Sequence, residues 1–404
     1  MAIAGLMLVG GSRDLVMLFL GLELISIPTY ILLFLGRKDG SSSESTAKYF
    51  FLSILSSGIT LYGFSYLYGV GGSTRLDEIQ AALAKLLTSP ETSAPLFAQL
   101  ALVLVTAGLG FKIAAVPFHF YAPDVYQGTT HANAGLLAVL PKIAGIVALV
   151  RIVSVALPGT EETAVRLLLI LSMVTMTLGN VTALWQDDVR RMMAYSSIAH
   201  AGYMLVGLAV DFAARKGNIQ GVDGIGATLF YTAAYSLASA GLFACFAYFG
   251  GPNRSLDKVD DLAGVGRSSP FVALAAAVFL FSLTGIPPMP GFFGKLELFY
   301  GAIQVGLSDS KLAPWFIALA VVGMLNAATS AAYYLRLIGT MYFRTPVGAE
   351  PKPAGLGPWL AVFVCTAASV AIMLSPGGIT AAGNGAAKSA RATQAAPAPA
   401  VAAK

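Results

Sequence analysis

The chain has 404 residues, of which 56% are hydrophobic and only 11% charged, with a formal net charge of +5. Soluble domains carry roughly 25% charged residues, so the composition excludes a soluble globular enzyme and points to a polytopic α-helical protein of a lipid bilayer. The Lys and Arg are scattered over short loops, which excludes nucleic acid as a partner, and the two cysteines, Cys245 and Cys365, lie inside apolar runs and give no disulfide framework.

In chain order, hydropathy predicts an N-terminal stub at 1–10 and about ten spans. These fall at 15–35, 48–69, 96–116, 132–156, 164–184, 191–210, 227–249, 270–306, 314–342 and 357–375, punctuated by Gly, Pro and charged residues. The stub lacks a basic n-region and is too short to cross a bilayer, so no signal peptide is expected. Two short stretches, Leu76–Leu87 and Leu256–Val265, mix apolar and charged residues and read as interfacial or loop helices. Residues 376–404, rich in Ala, Gly and Pro with few large side chains, are expected to be disordered. Lys and Arg favour the odd-numbered loops, counted from the one after 15–35, which assigns those loops to the cytoplasm.

Two of the spans share a pattern. The one at 96–116 ends Gly108-Leu-Gly-Phe-Lys112-Ile-Ala-Ala-Val-Pro117, and the one at 270–306 contains Gly285-Ile-Pro-Pro-Met-Pro-Gly-Phe-Phe-Gly-Lys295. Each joins a lysine to Gly and Pro residues that interrupt helical hydrogen bonding. Counting the stub, they are the fourth helices of two successive groups of five, and an odd offset inverts the second relative to the first. Paired broken helices in inverted repeats point to a transporter's ion site. The expected organisation is a first repeat at 1–156, truncated at its N-terminal end, and an inverted second repeat at 157–343. A transmembrane helix at 344–375 and the tail at 376–404 follow.

Five ionisable residues fall inside the apolar runs: Glu23, Lys112, Lys142, His200 and Lys295. A charge in hydrocarbon is costly, so such groups normally face a protein or water interior and mark an ion or proton route. Glu23 reads as a carboxylate that pairs with a lysine, or else as a protonated structural donor. Burial disfavours a charged lysine and a nearby carboxylate favours it, so Lys112 can take up and release a proton as a partner approaches and retreats. Its place near a helix end also fits a snorkelling side chain. Lys142, next to Pro141, is too deep to reach either interface easily, and its alternative role is counter-ion to a fixed carboxylate. Lys295 has similar depth, but Glu297 lies at a spacing that does not face it on a regular helix, so a pair there requires broken geometry. His200 fits a proton relay or a packing histidine.

His119 and His131 flank Asp124 in a loop, but their spacing forms no specific metal-ligand motif. No CxxC cluster, haem-attachment motif, phosphate loop, dinucleotide fingerprint or HExxH is present. The chain therefore offers no redox or hydrolytic centre of its own. Energy for moving protons has to come from a gradient or from partner subunits.

Several motifs together carry a resemblance. They are Leu20-Gly-Leu-Glu23-Leu-Ile-Ser-Ile-Pro28, Ala47-Lys-Tyr-Phe, Gly108-Leu-Gly-Phe-Lys112 through Pro123-Asp-Val-Tyr126, Pro141-Lys142, Ala194-Tyr-Ser-Ser-Ile-Ala-His200-Ala-Gly-Tyr203, and Gly285-Ile-Pro-Pro with Gly291-Phe-Phe-Gly-Lys295. From about residue 5 to 375 the chain resembles the subunit N family of proton-pumping NADH–quinone oxidoreductase (respiratory complex I), within the wider antiporter-like membrane subunits. The resemblance implies a multi-pass subunit of the bacterial inner membrane that translocates protons along a mid-membrane chain of charges and waters. Glu23 and Lys112 would match the glutamate–lysine pair of the first broken-helix half, and Lys142 the central lysine. Lys295 would match the lysine of the second broken helix, with His200 on the axis between them. Partners would be the other membrane and peripheral subunits, which would hold NADH, flavin, iron–sulfur clusters and quinone; no cofactor is expected in this chain. The part corresponding to the family's first three helices and the start of the fourth has no counterpart, as expected of a misassigned start, a fragment or a shortened natural variant. Two other readings compete: a cation/proton antiporter or hydrogenase-associated relative, and a passive structural subunit.

Overall fold

A backbone in hydrocarbon has no water to bond, so each crossing segment must satisfy its own N–H and C=O groups, which a helix does. The computed structural model describes residues 1–36, 40–86, 94–152, 159–250, 256–308, 311–346 and 355–392. Its helices, in chain order, begin with α1 (Ala2–Gly11), α2 (Leu15–Gly36), α3 (Gly40–Gly71), α4 (Leu76–Leu86) and α5 (Ala94–Lys112). They continue with α6 (Ala122–Gln127), α7 (His131–Arg151), α8 (Glu161–Leu184), α9 (Val189–Lys216) and α10 (Gly224–Gly250). The last six are α11 (Val265–Ser268), α12 (Pro270–Thr284), α13 (Pro290–Gly306), α14 (Ala313–Phe343), α15 (Leu356–Leu374) and α16 (Pro376–Ala392). Among the described residues nine of these, α2, α3, α5, α7, α8, α9, α10, α14 and α15, are long and apolar enough to cross a membrane. The chain is thus an all-α polytopic membrane protein.

The eighth expected span, 270–306, is two helices, α12 and α13. Gly285, at φ 87°, ends α12 in the left-handed region that glycine reaches without a Cβ clash. Pro287 and Pro288 have no N–H to continue the ladder, and Pro290 is pre-set for the first turn of α13. The span at 96–116 is cut in the same manner: α5 stops at Lys112, Ala114 takes φ 57°, and α6 starts at Ala122.

Burial follows side-chain size and polarity. The apolar length of α9 is buried throughout. Its Ala194, Ser196, Ser197, Ala199, Ala201 and Gly202 allow close approach of α8, the neighbour it packs against most extensively. Without a hydrophobic force between helices in lipid, such small residues and buried polar groups are what bring helices together. By contrast α15 shows Leu360, Phe363 and Val364 outward, as a lipid-facing helix should.

The stretch at 76–87 forms α4 over its described part, burying Leu76, Ile79 and Leu83 on one face. The stretch at 256–265 forms a 3-10 turn, Val259–Leu262, and then enters α11. The tail departs from the expectation of disorder: over Pro376–Ala392 it is helical and packs on α10, with Ala387 fully buried. Low hydrophobicity argued for disorder, but Ala is the strongest helix former, and small side chains allow close packing without much apolar area. Residues 393–404 of that expectation lie outside the described residues.

Candidate functional site: a row of buried lysines and a histidine

The first broken helix brings Glu23 and Lys112 together. Lys112 ends α5 almost fully buried, with Nζ 3.3 Å from Glu23 Oε1 on α2. It also lies within donating distance of Ser26 Oγ (2.7 Å), Ser53 Oγ (3.1 Å) and Ser57 Oγ (3.5 Å). An ammonium has three N–H groups, fewer than these four acceptors, so the contacts are alternatives among which the lysine can shift. Ser57 donates to Glu23 Oε1 at 2.5 Å, and Tyr30 donates to Ser53 Oγ at 2.7 Å. The carboxylate and the ammonium therefore share a set of hydroxyls.

Breaking a helix leaves carbonyls free, and the lysines use them. Lys142, 2% exposed on α7, donates to the Ile113 carbonyl at 2.7 Å, one residue past Lys112. Among the described residues no carboxylate lies within ion-pairing distance of Lys142 (4.0 Å), so the counter-ion alternative loses its partner. Lys295, 4% exposed on α13, donates to the Leu283 and Thr284 carbonyls at the end of α12, both at 2.9 Å. The pair with Glu297 does not form. The broken geometry turns Lys295 onto the carbonyls, while Glu297 accepts a long hydrogen bond from Thr380 on α16 (3.5 Å). Gly285 is needed here twice: its φ is positive, and an added Cβ would sit 2.9 Å from Lys295 Cδ.

His200, 2% exposed near the middle of α9, is held on both sides. Nδ1 lies 2.6 Å from the Tyr231 hydroxyl and Nε2 3.0 Å from the Tyr334 hydroxyl, which also contacts Ser196. Each hydroxyl can donate or accept, so either imidazole tautomer can be satisfied. Tyr203 joins His200 to Lys295. Its ring centre is 5.8 Å from that of His200 and 4.8 Å from Lys295 Nζ, the latter a cation–π distance when the amine is charged. The Tyr203 hydroxyl accepts from Asn180 (3.3 Å), which also donates to Asn326 (3.1 Å) and accepts from Tyr333 (3.0 Å).

The structure thus forms two groups, Glu23–Lys112–Lys142 and His200–Lys295. Hydroxyls extend from His200 to α6, the short helix that follows the first break. Tyr126 on α6 lies 3.2 Å from Ser197 Oγ, Tyr235 donates to Ser197 Oγ at 2.8 Å, and the Tyr235 ring packs on His200 at 4.8 Å. Near this line Asp124 of α6 is fastened to Lys48 of α3 (2.9 Å) and Arg191 of α9 (2.7 Å). Burial pushes the Asp124 carboxyl up, but its hydrogen bonds from Lys48 and Arg191 outweigh this and hold it below its ordinary value. That clamp fixes the first break between two long helices. Among the described residues no group of three or more His, Cys, Asp or Glu is placed to hold a metal ion.

The serines and tyrosines around the charged residues carry little weight in a reading of the sequence, because such residues are common in helix packing. Ser26 had a usable signal: it follows Glu23 by one helical turn, on the same face.

The transmembrane family described as NADH:quinone oxidoreductase/Mrp antiporter matches residues 12–325. NADH-quinone oxidoreductase subunit N of Trichlorobacter lovleyi is 43% identical over 340 residues, which is 84% of this chain and 65% of that relative. A chain of respiratory complex I from Thermus thermophilus with bound Aureothin superposes with a TM-score of 0.75 at 33% identity, covering 94% of this chain and 78% of the other. A chain of the Mrp complex from Dietzia sp. DQ12-45-1b shares the fold, with a TM-score of 0.80 at 22% identity, covering 97% and 76%. The chain spans about two thirds of the length of the curated relatives it matches first.

Proposed function

Because the chain belongs to the NADH:quinone oxidoreductase/Mrp antiporter transmembrane family, we propose that it is the N-type proton-translocating membrane subunit of an NADH–quinone oxidoreductase. Its partners are the other membrane and peripheral subunits in a bacterial inner membrane, and NADH, flavin, iron–sulfur clusters and quinone reside in those subunits. The two broken-helix halves act as inverted repeats around one path. The observation that supports this reading most is that three buried lysines meet bonding partners a proton transfer could exploit: a carboxylate with hydroxyls at Lys112, and freed carbonyls at Lys142 and Lys295.

A lysine on a carbonyl is neutralised by no carboxylate, so its charged form costs more there than beside Glu23. A proton placed on Lys112 raises the cost of charge on Lys142, and relief comes by passing the proton along. Moving one charge against 100 mV takes about 2.3 kcal/mol. The chain transmits this rather than supplying it, through neighbouring subunits that bias its charge pairs.

Glu23→Gln tests the coupling at the first pair. The amide keeps a hydrogen bond to Ser57 and removes the charge next to Lys112. Fewer protons per electron are expected in vesicles bearing the assembled mutant complex; a normal ratio contradicts the coupling.

A further inference from the structure

Two arginines meet where α1 and α7 end. Arg13, exposed, lies in the short connection from α1 to α2, and Arg151, partly buried, is the last residue of α7. One Arg151 nitrogen donates to the Gly10 carbonyl near the end of α1, which fixes its guanidinium beside the stretch that holds Arg13. Arg13 is close enough for its charge to act on Arg151. Among the described residues neither arginine has a carboxylate within ion-pairing distance (4.0 Å). Two like charges held together without a counter-ion repel, at a cost that a bound anion removes.

The neighbouring carboxylates are occupied elsewhere. Asp14 caps α2, its Oδ1 accepting from the Val16 and Met17 N–H groups at 2.8 and 3.2 Å and its Oδ2 from the Thr74 hydroxyl at 2.5 Å. Asp77 and Glu78 pair with Arg75, which lies across from Asp14. A guanidinium carries five N–H groups, so Arg151 keeps donors beyond the one it gives to Gly10. There is also room for an anion: a Cβ added at Gly10 or Gly11 would meet nothing within 4 Å. One to two turns into the membrane from the arginines, Met7 of α1 stands outward, with Val16 and Leu20 of α2 half exposed. The planar fork of an arginine matches phosphate oxygens, and basic pockets between membrane helices take phospholipid head groups.

We propose that Arg13 and Arg151 form a binding site for the phosphate of an anionic phospholipid, whose acyl chains lie along Met7 of α1 and Val16 and Leu20 of α2. The apolar side chains favour a lipid over a free phosphate, since a soluble anion gains nothing by covering them. Net negative charge matters because a zwitterionic head group brings its own ammonium towards two guanidiniums. A lipid bound there links the α1–α2 connection to the end of α7.

Its test uses the whole complex in phosphatidylcholine vesicles doped with a phosphatidylglycerol whose acyl chain carries a diazirine, assembly being checked by native gel. After illumination, cross-links to α1 and the first half of α2 are mapped by mass spectrometry. They are compared with those from the matching phosphatidylcholine probe. The anionic probe is expected to label this stretch roughly 10-fold more than the zwitterionic one. Arg13→Gln combined with Arg151→Gln is expected to remove that preference. Arg13→Gln alone alters an exposed side chain, leaves the Gly10 bond in place and is expected to weaken the preference several-fold. Should the double variant not assemble, this single variant decides. Equal labelling by the two probes in the unaltered complex overturns the site, as does an unchanged preference in assembled Arg13→Gln. Absence of labelling by either probe also overturns it, because protein then covers this face. Loss of the preference on adding inorganic phosphate at constant ionic strength assigns the arginines to a free phosphate and removes the lipid.

Discussion

Replacing Lys295 by alanine is expected to slow proton transfer through this chain by roughly 10²-fold or more, the usual weight of a positioned proton-transfer group, and to lower protons per electron in the assembled complex. The side chain bridges the end of α12 and the Tyr203 ring, so its loss has a structural part as well. Lys295→Arg separates the two. Arginine keeps a cation and donors for the two carbonyls, yet its guanidinium does not release a proton at any working pH. Both variants are expected to fail in pumping, measured as acidification per NADH oxidised, while arginine retains more of the thermal stability. Pumping restored by arginine would make Lys295 a fixed charge.

His200→Gln carries the second large effect. A glutamine offers one donor and one acceptor end to Tyr231 and Tyr334, but it cannot carry a proton as imidazole does. Assembly is expected to survive and pumping to fall. His200→Ala differs, because it deprives the buried Tyr231 hydroxyl of its 2.6 Å partner and weakens the Tyr334 site, which keeps Ser196. An orphaned buried hydroxyl costs about 1–3 kcal/mol, so the alanine variant should melt earlier than the glutamine one. Equal melting together with normal pumping in His200→Gln would leave His200 a packing residue.

Hydropathy made the charged residues legible because each is a violation: a Glu, Lys or His inside an apolar run has no inexpensive explanation in lipid. The two breaks were legible for a similar reason, since Pro287, Pro288 and Gly285 cannot continue a helix. What each lysine bonds was not legible. Ile113, Leu283 and Thr284 contribute backbone carbonyls, and a carbonyl freed by a break leaves no mark in the sequence. Glu297, two residues from Lys295, does not face it on the regular helix α13, and the carbonyls take the place of a carboxylate partner. Tyr203, Tyr231 and Tyr334 were hidden by their commonness, and α16 by a composition whose helix propensity exceeds its hydrophobicity.

The proposed proton path runs from the Glu23–Lys112 pair through Lys142 to His200 and Lys295. The most direct measurement is protons moved per electron during NADH oxidation in vesicles bearing Lys142→Arg and Lys142→Ala complexes, with assembly checked by native gel. Both variants are expected to lose pumping while assembled, since Lys142 has to release its proton as well as hold it. Normal protons per electron in assembled Lys142→Ala would contradict it, leaving the buried charges as braces for the fold.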